Sequence, residues 1–165
     1  LILAKGNKGG TIMYYAIHGK TPLNNLYETK AAAQLAIEQM KKLPNATHAF
    51  DSCTIVEVPA PANLFEIWQM RDEPWAHGYK FFNHEMANKK GYVSKEYYNC
   101  VYREALDATE PSISLRAHLY DRFNCDKPID YMAPSMSVSD VIVFKGEGGT
   151  KAFFVEPIGF REIEF

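Results

Sequence analysis

The stretch SMSVSDVIVFKGEGGTKAFFVEPIGF, residues 135–160, decides the fold of the second half of this 165-residue chain. Two runs rich in β-branched and aromatic residues, 138–144 and 151–155, predict a pair of strands. A glycine-rich stretch separates the two runs, which is typical of a hairpin turn. A proline and a glycine then interrupt the ladder before a last short strand over residues 160–163. The sequence therefore predicts a terminal β-hairpin.

Upstream of this hairpin, the apolar patterns predict two more strands and two helices. The strands cover residues 64–70 and 100–106, and the first places Phe65, Ile67 and Gln69 on one face. One helix is predicted over residues 81–88, with its end at Gly91. The other is marked by apolar residues at a spacing of four: Leu115, Leu119 and Phe123.

Residues 13–58 predict a smaller β-β-α-β unit. Its three predicted strands are the short apolar runs at residues 13–17, 26–27 and 54–58. Thr29 is a suitable N-cap for a helix with an apolar face. That face comprises Ala33, Ala36, Ile37, Met40 and Leu43. We place Lys41 and Lys42 in the last turn, where cations suit the helix dipole, and Pro44 ends the helix.

A proline-rich connector, residues 59–62, is the predicted boundary between this unit and a second one over residues 64–165. The predicted fold class is α+β, with two small mixed units that each have a short antiparallel sheet and one or two packed helices. We expect them to pack as one particle, because the smaller unit buries little surface alone. We interpret residues 1–12, which precede Met13, as a tag-derived or disordered leader.

Composition excludes several classes of protein. The net charge of −2 argues against direct nucleic-acid binding, because phosphate contacts need a clustered excess of Lys and Arg. The three cysteines are widely spaced and odd in number, which favours reduced thiols over a disulfide framework. No stretch approaches the roughly 18 apolar residues that a membrane span needs. We predict a cytoplasmic protein that does not bind membranes, and the oligomeric state stays open.

A serine-rich segment before the hairpin forms a specific pattern. The serine-valine-serine-aspartate run that ends at Asp140, the glycine turn and the Gly159-Phe160 pair together resemble the signature of YodL-like domains. Upstream matches to that family are Tyr98, Val101, Tyr102, Leu119, Tyr120, Arg122, Phe123, Asn124, Pro128 and Asp130. The resemblance covers roughly residues 64–163, and it departs from the pattern at Met136, where leucine is usual, and at residues 156–158.

The resemblance to YodL-like domains implies a context and no chemistry. Such domains occur in proteins of conjugative elements, plasmids and phages of Firmicutes, often beside antirestriction modules. The family has no assigned catalytic role. The resemblance therefore implies a small protein of a mobile genetic element, and small proteins of that kind are frequently inhibitors of host defence.

The residues themselves carry no recognisable catalytic or metal-binding motif. Only His77 and His84 of the five histidines lie close together, and zinc sites normally need three or four converging ligands. The glycine turn lacks the lysine-serine ending of a phosphate loop. We interpret Asp140, with Ser137 and Ser139, as groups that satisfy the backbone at the start of a strand rather than as catalytic groups. The sequence predicts no catalytic residue, no metal site and no cofactor.

The leading hypothesis is a non-enzymatic protein-binding factor that inhibits a host defence nuclease, of the anti-CRISPR or antirestriction type. The partner would be that nuclease or another defence protein, and aromatic residues with acidic neighbours would form the contact surface. The predicted surface comprises Trp68, Asp72, Glu73, Trp75, Tyr79, Phe81 and Phe82. The alternative that those aromatics form the core of the second unit is at least as strong.

Two other functional classes stay open. An accessory factor of conjugation or DNA processing would need a basic groove. An enzyme would need a polar cleft in which His77, His84 or Asp140 converge.

Overall fold

The computed structural model describes residues 11–44, 46, 48–108 and 110–165, which form two antiparallel sheets and three α-helices. In chain order the elements are β1 (Met13–His18), β2 (Leu26–Tyr27), α1 (Lys30–Met40), β3 (Thr54–Pro59), β4 (Leu64–Met70), α2 (His84–Lys89), β5 (Tyr98–Ala105), α3 (Ile113–Cys125), β6 (Val141–Gly146), β7 (Gly149–Val155) and β8 (Phe160–Ile163). The strand orders are β2-β1-β3 and β5-β4-β6-β7-β8. The predicted α+β fold class is confirmed.

Two predictions concern the leader before Met13 and the lack of a membrane span. Residues 1–10 of the predicted leader lie outside the described residues, while the backbone oxygen of Ile12 accepts a hydrogen bond from the Ala60 amide at 2.8 Å. Within the part of the chain that the structure describes, no helix has the length and apolar character needed to cross a membrane.

The first sheet carries α1 on one face. The backbone amide of Ala32 donates to the Thr29 side chain at 3.1 Å, which confirms Thr29 as the N-cap. The apolar face of α1 packs with Ile17 and Phe50 in one core cluster. The helix ends at Met40, so Lys41 and Lys42 follow it and do not lie in its last turn as predicted.

The N-cap of α1 supports a first testable prediction. Thr29→Ala should lower the free energy of unfolding by about 1 kcal/mol, because it leaves one of the first amides of the helix without an acceptor. Gln34→Ala, an exposed change in the same helix, is the matched control and should shift it far less. Urea unfolding followed by circular dichroism measures both. Equal effects of the two variants would contradict a capping role for Thr29.

The second sheet is covered on both faces. Strand β4 pairs with β5 on one side and β6 on the other, so it is central and nearly all of its residues are buried. Phe65 and Ile67 pack toward α3 through Phe123, as the predicted alternation requires. The other face packs toward α2 through a second cluster that contains Met70.

The predicted starts of two strands and one helix in residues 64–165 were wrong. Strand β6 begins at Val141 rather than at residue 138, because residues 137–140 form a turn closed by a 3.1 Å bond from the Asp140 amide to the Ser137 carbonyl. Strand β5 begins two residues earlier than predicted, at Tyr98. Helix α2 starts only at His84, where Asn83 caps it.

The two sheets are joined by polar contacts at β5. The backbone amide of Arg103 donates to the Asn25 side chain at 3.0 Å. The Asp130 carboxylate accepts hydrogen bonds from the Asn24 and Asn25 amides, each at 2.8 Å. The loop before β2 is therefore held by residues of the second sheet and of the segment after α3. The domain boundary at residues 59–62 stays a prediction.

Candidate functional site

A cleft of about 600 Å³ lies at one end of the second sheet, where β4 ends and β5 and β6 begin. Strand residues, the connection after β4 and the turn before β6 each supply a wall. The lining residues are Gln69, Met70, Asp72, Lys80, Phe81, Asn99, Val101, Pro134, Ser135, Met136, Ser137, Ser139 and Asp140. We call this the Asp140 cleft. Its volume lies within the range of pockets that bind small ligands.

The Asp140 carboxyl is the buried acid of the cleft, with only 4% of the residue exposed. Its Oδ2 accepts from Gln69 Nε2 and from the Ser137 amide, each at 2.9 Å. Burial raises the pKa of Asp140 to about 7, and the hydrogen bonds from Gln69 and Ser137 and the charge of Lys80 limit the rise. The interpretation that Asp140 satisfies backbone groups before β6 agrees with the Ser137 contact.

Two residues beside Asp140 have left-handed backbone conformations. Ser139 has a φ of 81° and Phe81 a φ of 75°, which is costly for any residue with a Cβ and most unusual for a bulky one. The Phe81 amide donates to Ser139 Oγ at 3.2 Å, and Tyr98 donates its hydroxyl to the Ser139 carbonyl at 3.0 Å. Strained backbone of this kind clusters at functional sites. The rim of the cleft is therefore held in place by specific contacts.

A buried amide fixes the floor of the cleft. Besides Asp140, Gln69 Nε2 reaches the Pro134 carbonyl at 3.1 Å, and the same carbonyl accepts from the Tyr131 hydroxyl at 2.7 Å. These contacts hold residues 134–140 against β4. Gln69 shares the face of Phe65 and Ile67, so a buried polar residue on an apolar face was the available sequence signal for this site. The predicted surface omitted Gln69, Ser139 and Asp140.

An exposed ion pair lies at the mouth of the cleft. Lys80 Nζ contacts Asp72 Oδ1 at 2.9 Å, and His77 Nε2 lies 3.5 Å from the same oxygen. The hydrogen bond and the charge of Lys80 lower the pKa of Asp72. Lys80 is thus engaged by Asp72 at the mouth.

The structure divides the predicted protein-binding residues into three groups. Trp75, Tyr79 and Phe82 pack with Tyr92 and Tyr97 in a half-buried aromatic cluster, in which Trp75 stacks on Tyr92 at 5.0 Å. These three aromatic side chains are therefore partly buried against one another.

The other predicted residues lie around that aromatic cluster. Trp75 Nε1 donates to Glu73 at 2.8 Å, which joins this acid to the cluster. Trp68 packs instead against Phe165, with ring centroids 5.7 Å apart. Phe81 and Asp72 line the Asp140 cleft, and Phe81 is 67% exposed. Their role in binding stays a prediction.

The histidines of the enzyme hypothesis do not converge on Asp140. Neither His77 nor His84 is among the residues that line its cleft. The His84 ring packs edge-on against Phe154 at 5.3 Å, and burial lowers its pKa. Across residues 11–44, 46, 48–108 and 110–165, no group of three or more His, Cys, Asp or Glu side chains is arranged to hold a metal ion.

The described geometry defines a small α+β module, in which a five-stranded antiparallel sheet is covered on both faces and ends in a cleft with a buried acid. Residues 64–165 match the family model of the YodL-like domain, and the chain belongs to that family. The match includes every residue that lines the Asp140 cleft. No curated protein and no solved structure matched the chain.

Proposed function

We propose that this chain is a non-enzymatic protein-binding factor of a mobile element and that it inhibits a host defence nuclease by occluding it. The observation that carries the proposal is Phe81. This large aromatic side chain is mostly exposed, its backbone is strained, and it stands at the rim of a cleft. Aromatic residues, including Phe, are enriched at protein interfaces, and a few such side chains supply most of the binding energy.

The surroundings of Phe81 support its use as an anchor. The half-buried cluster of Trp75, Tyr79 and Tyr92 is already packed on one side, so it loses little conformational entropy when a partner covers it. Contacts that add little binding energy themselves can surround a central anchor and exclude water from it, which strengthens the binding of the anchor. The connection after β4 therefore offers an aromatic surface that is already ordered before a partner binds.

The charge near Phe81 suits a basic partner. Glu73 is exposed beside the aromatic cluster, Asp72 is exposed and paired with Lys80, and the whole chain has a net charge of −2. Nucleases carry basic surfaces where they hold the phosphate backbone. The exposed carboxylate of Glu73 would be attracted to such a surface, and a chain bound there would compete with nucleic acid for it.

The test has two steps, capture of a nuclease and measurement of its activity. The tagged chain would be used to capture partners from a lysate with active CRISPR and restriction systems, and any recovered nuclease would then be purified. The proposal expects DNA cleavage by that nuclease to fall in proportion to added chain, until one equivalent is reached. The proposal would be refuted if none of the CRISPR and restriction nucleases of that lysate bound the chain and none cleaved DNA more slowly in its presence.

Phe81→Gly is the sharpest variant for this proposal. Binding to the recovered nuclease should weaken by at least about tenfold, as expected when an anchor of roughly 2 kcal/mol is removed. The free energy of unfolding should not fall, because glycine adopts a positive φ without strain. Ile113→Ala, which trims another highly exposed apolar residue, is the control and should keep full affinity. Undiminished binding by Phe81→Gly would exclude Phe81 as the anchor.

An enzymatic role is the second candidate, because Asp140 is a buried acid with a raised pKa in a cleft. The titration above separates the two functions. An occluding inhibitor needs one equivalent of chain per nuclease, whereas an enzyme that modifies its target acts at far lower ratios.

A further inference from the structure

The walls of the Asp140 cleft match a long alkyl chain. Met70, Val101 and Met136 supply apolar lining, and methionine side chains adjust their shape to an incoming group. Phe81 lies at the open side. A linear aliphatic stem could pass between these residues while it kept contact with apolar atoms on several sides.

The floor of the cleft offers an acid that takes part in no ion pair within the part of the chain that the structure describes. Burial raises the pKa of Asp140 and the charge of Lys80 limits the rise, while Lys80 itself is paired with Asp72. Asp140 Oδ2 is bonded to two neutral donors, Gln69 and the Ser137 amide. Among the ion pairs of the described residues, Lys80 contacts Asp72, and none involves Asp140. Buried acids in proteins are usually paired with a cation, because an uncompensated buried charge is costly.

We propose that the Asp140 cleft receives the side chain of an arginine or lysine from the partner protein. The alkyl stem lies between Met70, Val101 and Met136, and the cationic head binds the Asp140 carboxylate. This inference rests on the proposed function, since it takes the cation from a protein partner. The partner would then carry a protruding arginine or lysine, and beside it a surface that contacts Phe81.

The cleft favours a side-chain cation over a bare metal ion. Asp140 is the only acid on the floor, while the second acid of the lining, Asp72, is exposed at the mouth and is engaged by Lys80. Hard cations such as calcium need six or more oxygen ligands. A guanidinium or ammonium group needs one carboxylate and a few polar neighbours, and Asn99 and Ser135 are available as such neighbours.

Two small probes test the pocket without any partner protein. n-Butylguanidinium mimics the arginine side chain, and N-butylurea has almost the same shape without the charge. Each would be titrated at pH 8 into the isotope-labelled full chain, and NMR shifts of the Gln69 side-chain amide, the Ser137 amide and the Met70 and Met136 methyls would be recorded. We expect butylguanidinium to bind at least about tenfold more tightly than butylurea, because both probes can donate hydrogen bonds to the Asp140 carboxylate but only the guanidinium also forms an ion pair with it.

Asp140→Asn should reduce the affinity for butylguanidinium to the level of butylurea. Equal affinity of the two probes for the unmodified chain would overturn the proposal, and so would saturable shifts confined to other residues or no shifts at all. The comparison of probes needs no variant, so it decides the question even if Asp140→Asn folds poorly. No nuclease is present, so a failed capture experiment and a failed titration are separate results.

Discussion

Arg103→Ala should lower the free energy of unfolding by about 3–5 kcal/mol, the usual cost when one partner of a buried ion pair is removed. Arg103 Nε contacts Glu66 Oε1 at 2.7 Å, and no part of Glu66 is exposed to solvent. After the substitution, Glu66 would keep Lys145 at 2.7 Å but would lose its buried partner. The buried Glu66 carboxylate would then have one cation instead of two, and the space left by the guanidinium would add to the cost.

Arg103 also ties the first sheet to the second. Its Nη2 contacts Glu28 at 2.8 Å, its Nη1 donates to the Leu26 carbonyl at 3.3 Å, and its guanidinium lies 4.8 Å from the centre of the Tyr14 ring. All three contacts reach residues before the connector at 59–62. The loss of Arg103 should therefore loosen the first sheet in addition to weakening the core of the second.

Urea unfolding of Arg103→Ala can be followed by tryptophan fluorescence, because Trp68 Nε1 donates to Glu66 at 2.9 Å and reports on this cluster. Lys89→Ala is the matched control, since it removes the exposed pair between Lys89 and Glu85 and should leave stability nearly unchanged. A loss for Arg103→Ala no larger than that of the control would show that the buried network contributes little.

The features that sequence reasoning found are those that short segments determine. Alternation placed Phe65 and Ile67 on one face of β4, the glycine stretch predicted the turn between β6 and β7, and Thr29 predicted the start of α1. Each of these signals depends on residues only a few positions apart. The structure agrees with them because the local preference and the tertiary packing favour the same conformation.

The Asp140 cleft depends on contacts that no short segment contains. Gln69 and Asp140 are 71 residues apart, and Phe81 and Ser139 are 58 residues apart. Propensity alone continues β6 back to residue 138, because nothing local indicates a positive φ at Ser139. The Ser137 amide donates to the Asp140 carboxylate, and the strand does not extend through this turn. Asp140 is therefore both the reason that the predicted strand start was wrong and the floor of the cleft.

Asp140→Asn should make the protein more stable at pH 8 by about 2–4 kcal/mol, while the two proteins should be equally stable near pH 4, as follows from roughly 1.36 kcal/mol per unit of pKa difference. The pKa of Asp140 is about 7 in the folded chain, against a reference value of 3.8. Between these values the unfolded chain is ionised while the folded chain keeps its proton. The free energy of unfolding therefore falls as pH rises through this window, and the penalty is complete above pH 7.

Asparagine removes the ionisation and keeps an oxygen that accepts from Gln69 and Ser137. Asp72→Asn is the control at the mouth of the same cleft, and its effect should have the opposite sign, because Lys80 lowers the pKa of Asp72 and so stabilises the folded chain at higher pH. Urea unfolding of both variants between pH 4 and pH 8 measures the difference. If the gain from Asp140→Asn were the same at every pH, burial of the charge would not be its cause. A gain that is absent near pH 4 and complete by pH 8, together with the loss of butylguanidinium binding, would mean that the chain gives up stability at Asp140 to keep an acid for its partner.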